Sequence, residues 1–132
     1  MKKTLAATLF LFAVLFASFT TAQAGPVMDR ITAHNKIIVG TSRAQPPLNA
    51  ISKTGEIIGL DADIAKLIAG NMGVNIEFKT MPFAELLPAL TAGKVDLVIS
   101  SMTITPKRNT QVVFIGPYFI SGKGILTKTK HL

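Results

Sequence analysis

The amino-acid sequence predicts an α/β fold in which helices flank an open, mostly parallel sheet. Apolar runs of strand length alternate along the chain with runs of helical spacing, which is typical of βαβ units. The 132 residues are 48% hydrophobic and 16% charged, as in globular proteins. This length allows one small domain.

The first elements follow from apolar runs and from the residues that interrupt them. Residues 37–41 predict the first strand, and the two prolines of residues 45–47 end it because proline lacks a ladder donor. Thr54 and Gly55 then predict a turn. A short extended piece is expected over residues 56–58.

A helix is predicted directly after that piece. Asp61 and Asp63 place negative charge where it stabilises a helix start, and Gly70 and Gly73 supply an end. Three apolar residues recur between them at helical spacing: Ile64, Leu67 and Ile68. We interpret the two aspartates as helix-start residues rather than as a catalytic pair, because a helix start accounts for both.

The second half of the chain continues this alternation. Pro82 is suited to open a further helix, and Pro88 within it predicts that this helix is short or bent. The helix carries three leucines: Leu86, Leu87 and Leu90. Further strands are predicted over residues 74–79, 95–99, 112–115 and 124–129. Asp96 is the only charge in its run, which therefore predicts a buried strand.

Residues 1–24 have the pattern of an export signal. Two lysines precede an apolar segment over residues 5–19, and an Ala-Gln-Ala sequence ends at Ala24. The apolar segment falls short of the roughly 20 residues that a membrane span needs. We expect cleavage after Ala24, which leaves residues 25–132 as the folded domain.

Composition excludes several classes of function. The chain has no cysteine, which excludes disulfides, thiolate metal sites and cysteine nucleophiles. Its 14 basic and 7 acidic residues give a net charge of +7, and loss of residues 1–24 leaves 12 basic residues and a net charge of +5. The basic residues are scattered, whereas nucleic-acid binders cluster them on one face. We therefore expect no nucleic-acid partner.

No catalytic residue, metal site or cofactor is predicted. His34 and His131 lie near the ends of the folded domain, and neither belongs to a Ser-His-Asp set or to a cluster of metal ligands. The sequence also lacks a glycine-rich phosphate-binding motif.

Residues 100–108 carry the clearest functional signal, because they follow the predicted buried strand at the position where open parallel sheets bind ligands. Thr105 is suited to cap a helix and Pro106 to begin it, so free backbone N–H groups would face the crevice. The guanidinium of Arg108 matches a carboxylate through two parallel hydrogen bonds. The segment predicts a carboxylate receptor; alternatively, its Ser, Thr and Pro residues only cap the helix and Arg108 is solvated.

Two segments resemble a known family. The sequences GEIIGLDADIAKLIAGNMG and MPFAELLPALTAGKVDLVISSMTITPKRNTQVVFIGPYFISG are similar to the extracellular solute-binding proteins of the polar amino-acid ABC transporter class, family 3. The resemblance covers residues 36–129, and its most specific parts are AGKVDLVISSMTITPKR and GPYFISG. It implies lobe one of a type II periplasmic-binding-protein fold, truncated at the hinge. The second lobe would be absent from residues 25–132.

The resemblance also implies a ligand site. Arg108 would hold the α-carboxylate of an amino acid, and Thr103 would assist through its N–H or hydroxyl group. Ser101, with the carbonyl of Ser100 or of Ser101 itself, would accept the α-ammonium. Phe83 matches the position that packs on the ligand side chain, although a core aromatic explains it equally well.

The chain departs from the family pattern in the loop after the first strand. Gln45 and Leu48 stand where aromatic residues are common. Ser42 is neutral and offers no anion to a basic ligand, whereas Arg43 would favour an acidic one unless it is solvated. Tyr118, in GPYF, matches a position near the hinge and is interpreted as structural.

The expected function is capture of a polar amino acid in the periplasm for an ABC importer whose permease lies in the inner membrane. We expect no enzymatic activity, and we expect the sequence to be a fragment that lacks the second lobe. A ligand held by one lobe keeps one face in water, which weakens its charged contacts. The alternatives are a cyclic-acid dehydratase-like enzyme, or a ligand-sensing module of a sensor kinase or cell-wall lytic enzyme.

Overall fold

The computed structural model describes residues 25–122 and 124–126. The strands in these ranges are β1 Lys36–Thr41, β2 Ala50–Ile51, β3 Ile57–Ile58, β4 Asn75–Thr80 and β5 Leu97–Val98. The α-helices are α1 Pro26–His34, α2 Leu60–Met72, α3 Leu86–Thr91 and α4 Pro106–Asn109, and a 3₁₀ turn over Phe83–Glu85 precedes α3. The predicted export segment, residues 1–24, lies outside the described residues.

The main sheet is parallel, with β1 in its centre and the order β4-β1-β5. Its register runs from Lys36 opposite Asn75 to Thr41 opposite Thr80. A separate antiparallel pair joins β2 to β3. The predicted class, an open and mostly parallel sheet flanked by helices, is confirmed.

Helix α2 packs on the sheet through small side chains. Its buried apolar residues are Ala62, Ala65 and Ala69, and two of these alanines belong to the same buried cluster as Ile37 and Val39 of β1. Leu67 is 65% exposed although its spacing matches the apolar face predicted for this helix. Alanine lets a helix lie close to the strands, and the isoleucines that flank the alanines remain only partly buried.

Gly73 ends α2 as predicted, whereas the prediction for Gly70 is wrong. Gly73 ends α2 in a left-handed conformation with φ of 67°, and Gly70 lies inside the helix. Pro88 occupies the first turn of α3, where its missing N–H removes no intrahelical hydrogen bond. The predicted helix after Pro82 is therefore short, because it is divided into a 3₁₀ turn and a six-residue α-helix.

The strands near the C-terminus differ from the prediction. Residues 112–115 form no strand, and Val113 and Ile115 are 91% and 93% exposed. In the predicted strand 124–129, residues 124–126 form no strand and the others lie outside the described residues. An apolar run forms a strand only where a sheet edge pairs with it, and β5 has just two residues in its ladder with β1. Within the described ranges, no helix is both long enough and apolar enough to cross a membrane.

Candidate functional site

The candidate site lies where the carboxyl ends of β1 and β5 meet. Residues 99–105 lead from β5 to α4 without regular secondary structure. Thr105 caps α4, because its backbone is extended and its side-chain oxygen accepts the N–H of Arg108 at 3.3 Å. Pro106 occupies the first helical position. The predicted cap and helix start are therefore present, and they fix the backbone of Arg108.

The Arg108 side chain turns back over the segment that precedes α4. Its Nη1 donates a hydrogen bond to the carbonyl oxygen of Thr103 at 2.7 Å. Its guanidinium carbon lies 5.6 Å from the ring centre of Phe83, within the range of a cation–π contact. In the part of the chain that the structure describes, Arg108 forms no ion pair with a carboxylate. Its remaining N–H donors are therefore available to an anion.

Phe83 lies outside the buried core and is half-buried. It lines a hollow of about 230 Å³ whose other walls are Ser42, Arg43, Ala44, Thr80, Met81 and Pro82. The ring thus borders open space on one side and the Arg108 guanidinium on another. This position differs from that of a core aromatic, which was the alternative for this residue.

Ser101 is tied to two residues that are distant in the sequence. Its hydroxyl lies 3.1 Å from each carboxylate oxygen of Asp61 and donates to them. Its backbone N–H donates to the hydroxyl oxygen of Tyr118 at 2.7 Å, and that hydroxyl donates in turn to Asp61 at 2.8 Å. Burial, followed by the hydrogen bond to Asp61, raises the pKa of Tyr118 to about 12.

The sequence patterns did not reveal the importance of Asp61. It lies at the helix start, as predicted, but it is 1% exposed and therefore not solvated. Its Oδ2 also accepts the side-chain N–H of Asn49 at 2.6 Å. An acidic residue in the first turn of a helix is explained by the helix dipole alone. The small residues Gly59 and Ala62 on either side of Asp61 are the sequence signal for burial of this turn, because the backbone packs closely at Gly59 and Ala62 is buried.

Ser100 joins the ends of the two strands. It is 1% exposed, and its hydroxyl oxygen accepts the N–H of Ser42 at 2.9 Å. The Ser42 hydroxyl donates to the side-chain oxygen of Asn49 at 3.0 Å, and the N–H of Ala44 donates to the same oxygen at 3.1 Å. These bonds fix the loop after β1 against the segment after β5.

Gln45 closes that loop. The backbone N–H groups of Gln45 and Asn49 each donate to the carbonyl oxygen of the other residue, which forms a short antiparallel bridge. The side-chain oxygen of Gln45 also accepts the Asn49 amide N–H at 3.3 Å. Gln45, Ser101 and Thr103 line a larger cavity of about 910 Å³, whose other walls are mostly apolar. The carbonyl oxygen of Thr103 also accepts the hydrogen bond from Arg108, whose guanidinium lies beside Phe83 of the hollow.

The structure therefore places the predicted site residues in two adjoining groups. Arg108, Phe83 and Thr103 are in contact or hydrogen-bonded, and Ser101 and Gln45 share a cavity with Thr103. The Ser100 side chain faces the interior. Among the described residues, no group of three or more His, Asp and Glu side chains is arranged to hold a metal ion.

Comparison with known proteins identifies the family. Residues 37–131 match the family of bacterial extracellular solute-binding proteins, family 3. The chain is 37% identical over 116 residues to ABC transporter arginine-binding protein 1 of Escherichia coli K12, covering 88% of the chain and 44% of that protein. It is 40% identical over 94 residues to the arginine-binding extracellular protein ArtP of Bacillus subtilis 168, covering 70% of the chain and 36% of that protein. The chain thus spans less than half the length of these two curated relatives.

Solved structures give the same family. The crystal structure of the arginine-bound form of domain 1 from TmArgBP is 41% identical, with a TM-score of 0.67, and the match covers 69% of this chain and 72% of that one. The ancestral cationic amino-acid solute-binding protein AncCDT-1 is 39% identical, with a TM-score of 0.68, and the match covers 70% of this chain and 40% of that one. The chain belongs to the bacterial extracellular solute-binding proteins of family 3.

Proposed function

We propose that this chain binds a polar amino acid in the periplasm as the substrate-capture component of an ABC importer. The observation that carries the proposal is the state of Arg108. Its side chain is fixed by Thr103 and Phe83 at the carboxyl edge of the sheet, and no carboxylate within the described residues neutralises it. A guanidinium held in this way is suited to a carboxylate brought by a ligand.

The α-ammonium of the same ligand would bind near Ser101. The hydroxyl oxygen of Ser101 keeps its lone pairs free, since its proton is directed to Asp61. Thr103 lies between Ser101 and Arg108 in the sequence and borders the same cavity as Ser101. A zwitterion spanning these groups would place its carboxylate on Arg108 and its ammonium on Ser101.

The relatives and the Phe83 hollow favour different ligand side chains. Two relatives are named arginine-binding proteins, which makes L-arginine the first ligand to test. The described walls of the Phe83 hollow carry no carboxylate, and Arg43 is one of them. The proposal therefore names a polar amino acid as the ligand class.

A site on one lobe is compatible with binding. The arginine-bound structure of TmArgBP domain 1 is a single domain, and this chain covers 72% of it. That finding supports retention of a ligand by one lobe, and water on the open face is still expected to weaken the charged contacts. The proposed site residues remain Arg108, Thr103, Ser101 and Phe83, with Ser100 and Gln45 in supporting positions.

The proposed location and partner follow from the family. Residues 1–24 would direct export to the periplasm, and an ABC transporter permease in the inner membrane would receive the ligand. We propose no enzymatic activity, because the similar proteins are named as binding proteins. AncCDT-1, a precursor of cyclohexadienyl dehydratase, is itself described as an amino-acid-binding protein, so it does not favour the dehydratase alternative.

The test is isothermal titration calorimetry of the purified chain, first with L-arginine and then with the other polar amino acids. Arg108→Ala should weaken binding about thirtyfold or more, because the ligand carboxylate would be left without its charged partner. Lys107→Ala is the matched control: it removes an exposed cation from the same helix and should change affinity less than about twofold. Equal binding by the Arg108 variant and the wild type would reject the site, and binding of no amino acid by the wild type would reject the function.

A further inference from the structure

Asp61 is buried more completely than a helix start requires. The residue is 1% exposed, and its carboxylate forms no ion pair with a Lys or Arg within residues 25–122 and 124–126. Burying a carboxylate costs several kcal/mol unless hydrogen bonds compensate it. The exposed Asp63 gives the helix dipole a negative charge in the same turn without that cost. The position of Asp61 therefore calls for another explanation.

The partners of Asp61 are all donors. An ionised carboxylate only accepts hydrogen bonds, so each neighbour must direct a proton toward it. Asn49 donates through its amide at 2.6 Å, Tyr118 through its hydroxyl at 2.8 Å, and Ser101 through its hydroxyl at 3.1 Å. The direction of the Ser101 hydroxyl proton is thereby fixed. Ser101 lines the larger cavity, and with its proton on Asp61 its hydroxyl oxygen can only accept a hydrogen bond from a ligand there.

The backbone of Ser101 is held by the same network. Its φ is 48°, in the left-handed region that residues other than glycine rarely adopt. The Tyr118 hydroxyl accepts the Ser101 N–H at 2.7 Å while donating to Asp61. Asp61 thus holds Ser101 twice, directly through the hydroxyl and indirectly through Tyr118.

We propose that Asp61 is a positioning residue for ligand binding: it fixes the Ser101 hydroxyl as a hydrogen-bond acceptor directed at the ligand ammonium. The inference rests on the proposed amino-acid binding and assigns to Asp61 no contact with the ligand itself. Asp61→Asn leaves one acceptor oxygen for three donors, the Asn49 amide and the Tyr118 and Ser101 hydroxyls, and adds an N–H₂ donor beside them, so the Ser101 hydroxyl proton is no longer held in place. A reoriented hydroxyl presents its proton to the ammonium instead of its lone pair.

A double-mutant cycle measured by calorimetry with L-arginine tests this role. Asp61→Asn should weaken binding about tenfold when residue 101 is Ser, the scale of one hydrogen bond to a charged group. The same substitution in the Ser101→Ala background should change affinity less than about twofold, because the hydroxyl through which Asp61 acts is gone. Asp63→Asn is the matched control for loss of a carboxylate from this helical turn, and it should leave affinity within about twofold.

The outcomes separate this inference from the function on which it rests. Equal losses in both backgrounds would mean that Asp61 acts on the fold and not through Ser101, which overturns the inference and leaves amino-acid binding intact. Unchanged affinity in Asp61→Asn overturns it as well. If the wild type binds no amino acid, both the function and the inference fail.

Folding of each variant is checked by circular dichroism. If Asp61→Asn does not fold, Tyr118→Phe replaces it in the cycle, since the Tyr118 hydroxyl fixes the backbone N–H of residue 101 and thereby the place of the Ser101 hydroxyl. A loss of about fivefold with Ser at residue 101, and of less than about twofold with Ala, supports the positioning role. Equal losses in the two backgrounds overturn it.

Discussion

Gly59 controls how the loop after β1 meets the start of α2. Its φ of 109° and ψ of 177° lie in a region that is essentially restricted to glycine. A Cβ at this position would lie 2.5 Å from the carbonyl oxygen of Pro47 and 2.6 Å from that of Leu48. Backbone atoms cannot rotate away as a flexible side chain can. The Leu48 carbonyl is also fixed, because it accepts the N–H of Asp61 at 2.9 Å.

Gly59→Ala should therefore be strongly destabilising. Strain at this backbone conformation costs about 1–3 kcal/mol and overpacking costs about 1–3 kcal/mol, so the free energy of unfolding should fall by about 2–6 kcal/mol. Gly55→Ala is the control for backbone strain alone, since Gly55 has φ of 85° and a methyl group there would meet nothing within 4 Å. It should cost about 1–2 kcal/mol.

The assay is urea denaturation followed by circular dichroism. Gly70→Ala is a second control, because Gly70 lies in the interior of α2 with open space around it, and the change should stabilise the protein by about 0.5–1 kcal/mol. If Gly59→Ala is no more destabilising than Gly55→Ala, the loop and the helix start are not in close contact. That result would also remove the basis for the placement of Asp61.

Two further predictions concern charged groups. Tyr118 is the single tyrosine, so absorbance of its phenolate reports its titration directly, with a midpoint expected near pH 12 in place of 10.0. Since the pKa of Tyr118 is raised in the folded state, its contribution to the free energy of unfolding is present below pH 10 and is lost as the pH rises through 12; Tyr118→Phe should lack this pH dependence. A titration midpoint near pH 10 would contradict the prediction. Arg30→Ala removes the cation that pairs with Asp96, whose side chain is 1% exposed. The free energy of unfolding in urea should fall by about 2 kcal/mol, less than for a fully buried pair because the Arg30 side chain is 35% exposed. Lys66→Ala breaks an exposed pair and should cost less than about 1 kcal/mol; equal costs would show that burial of Asp96 is unimportant.

Local patterns were sufficient for much of the fold. The apolar run at residues 37–41 predicts β1 correctly. Gly73 ends α2 through a cap that involves only the last turn of the helix. The cap at Thr105 is also local, since it satisfies an N–H only three residues away. Such features follow from backbone chemistry that the sequence displays directly.

The polar network depends on contacts that no local pattern contains. Asp61 meets partners that are 12, 40 and 57 residues away along the chain. Whether a first-turn aspartate faces water or the interior depends on what lies across from it. Likewise, residues 112–115 have the composition of a strand, but pairing requires a free edge in register. Tyr118, interpreted as structural, has its role through the same long-range network.

The central claim is that the Arg108 guanidinium holds the α-carboxylate of an amino acid, and NMR of the arginine side chains tests it most directly. With the chain labelled with ¹⁵N, the Nε–H signal of Arg108, assigned by its absence in Arg108→Ala, should shift on addition of L-arginine. Agmatine, which is arginine without its carboxylate, should leave that signal in place. A ligand that binds without moving the Arg108 signal, or an equal shift with agmatine, would contradict the account.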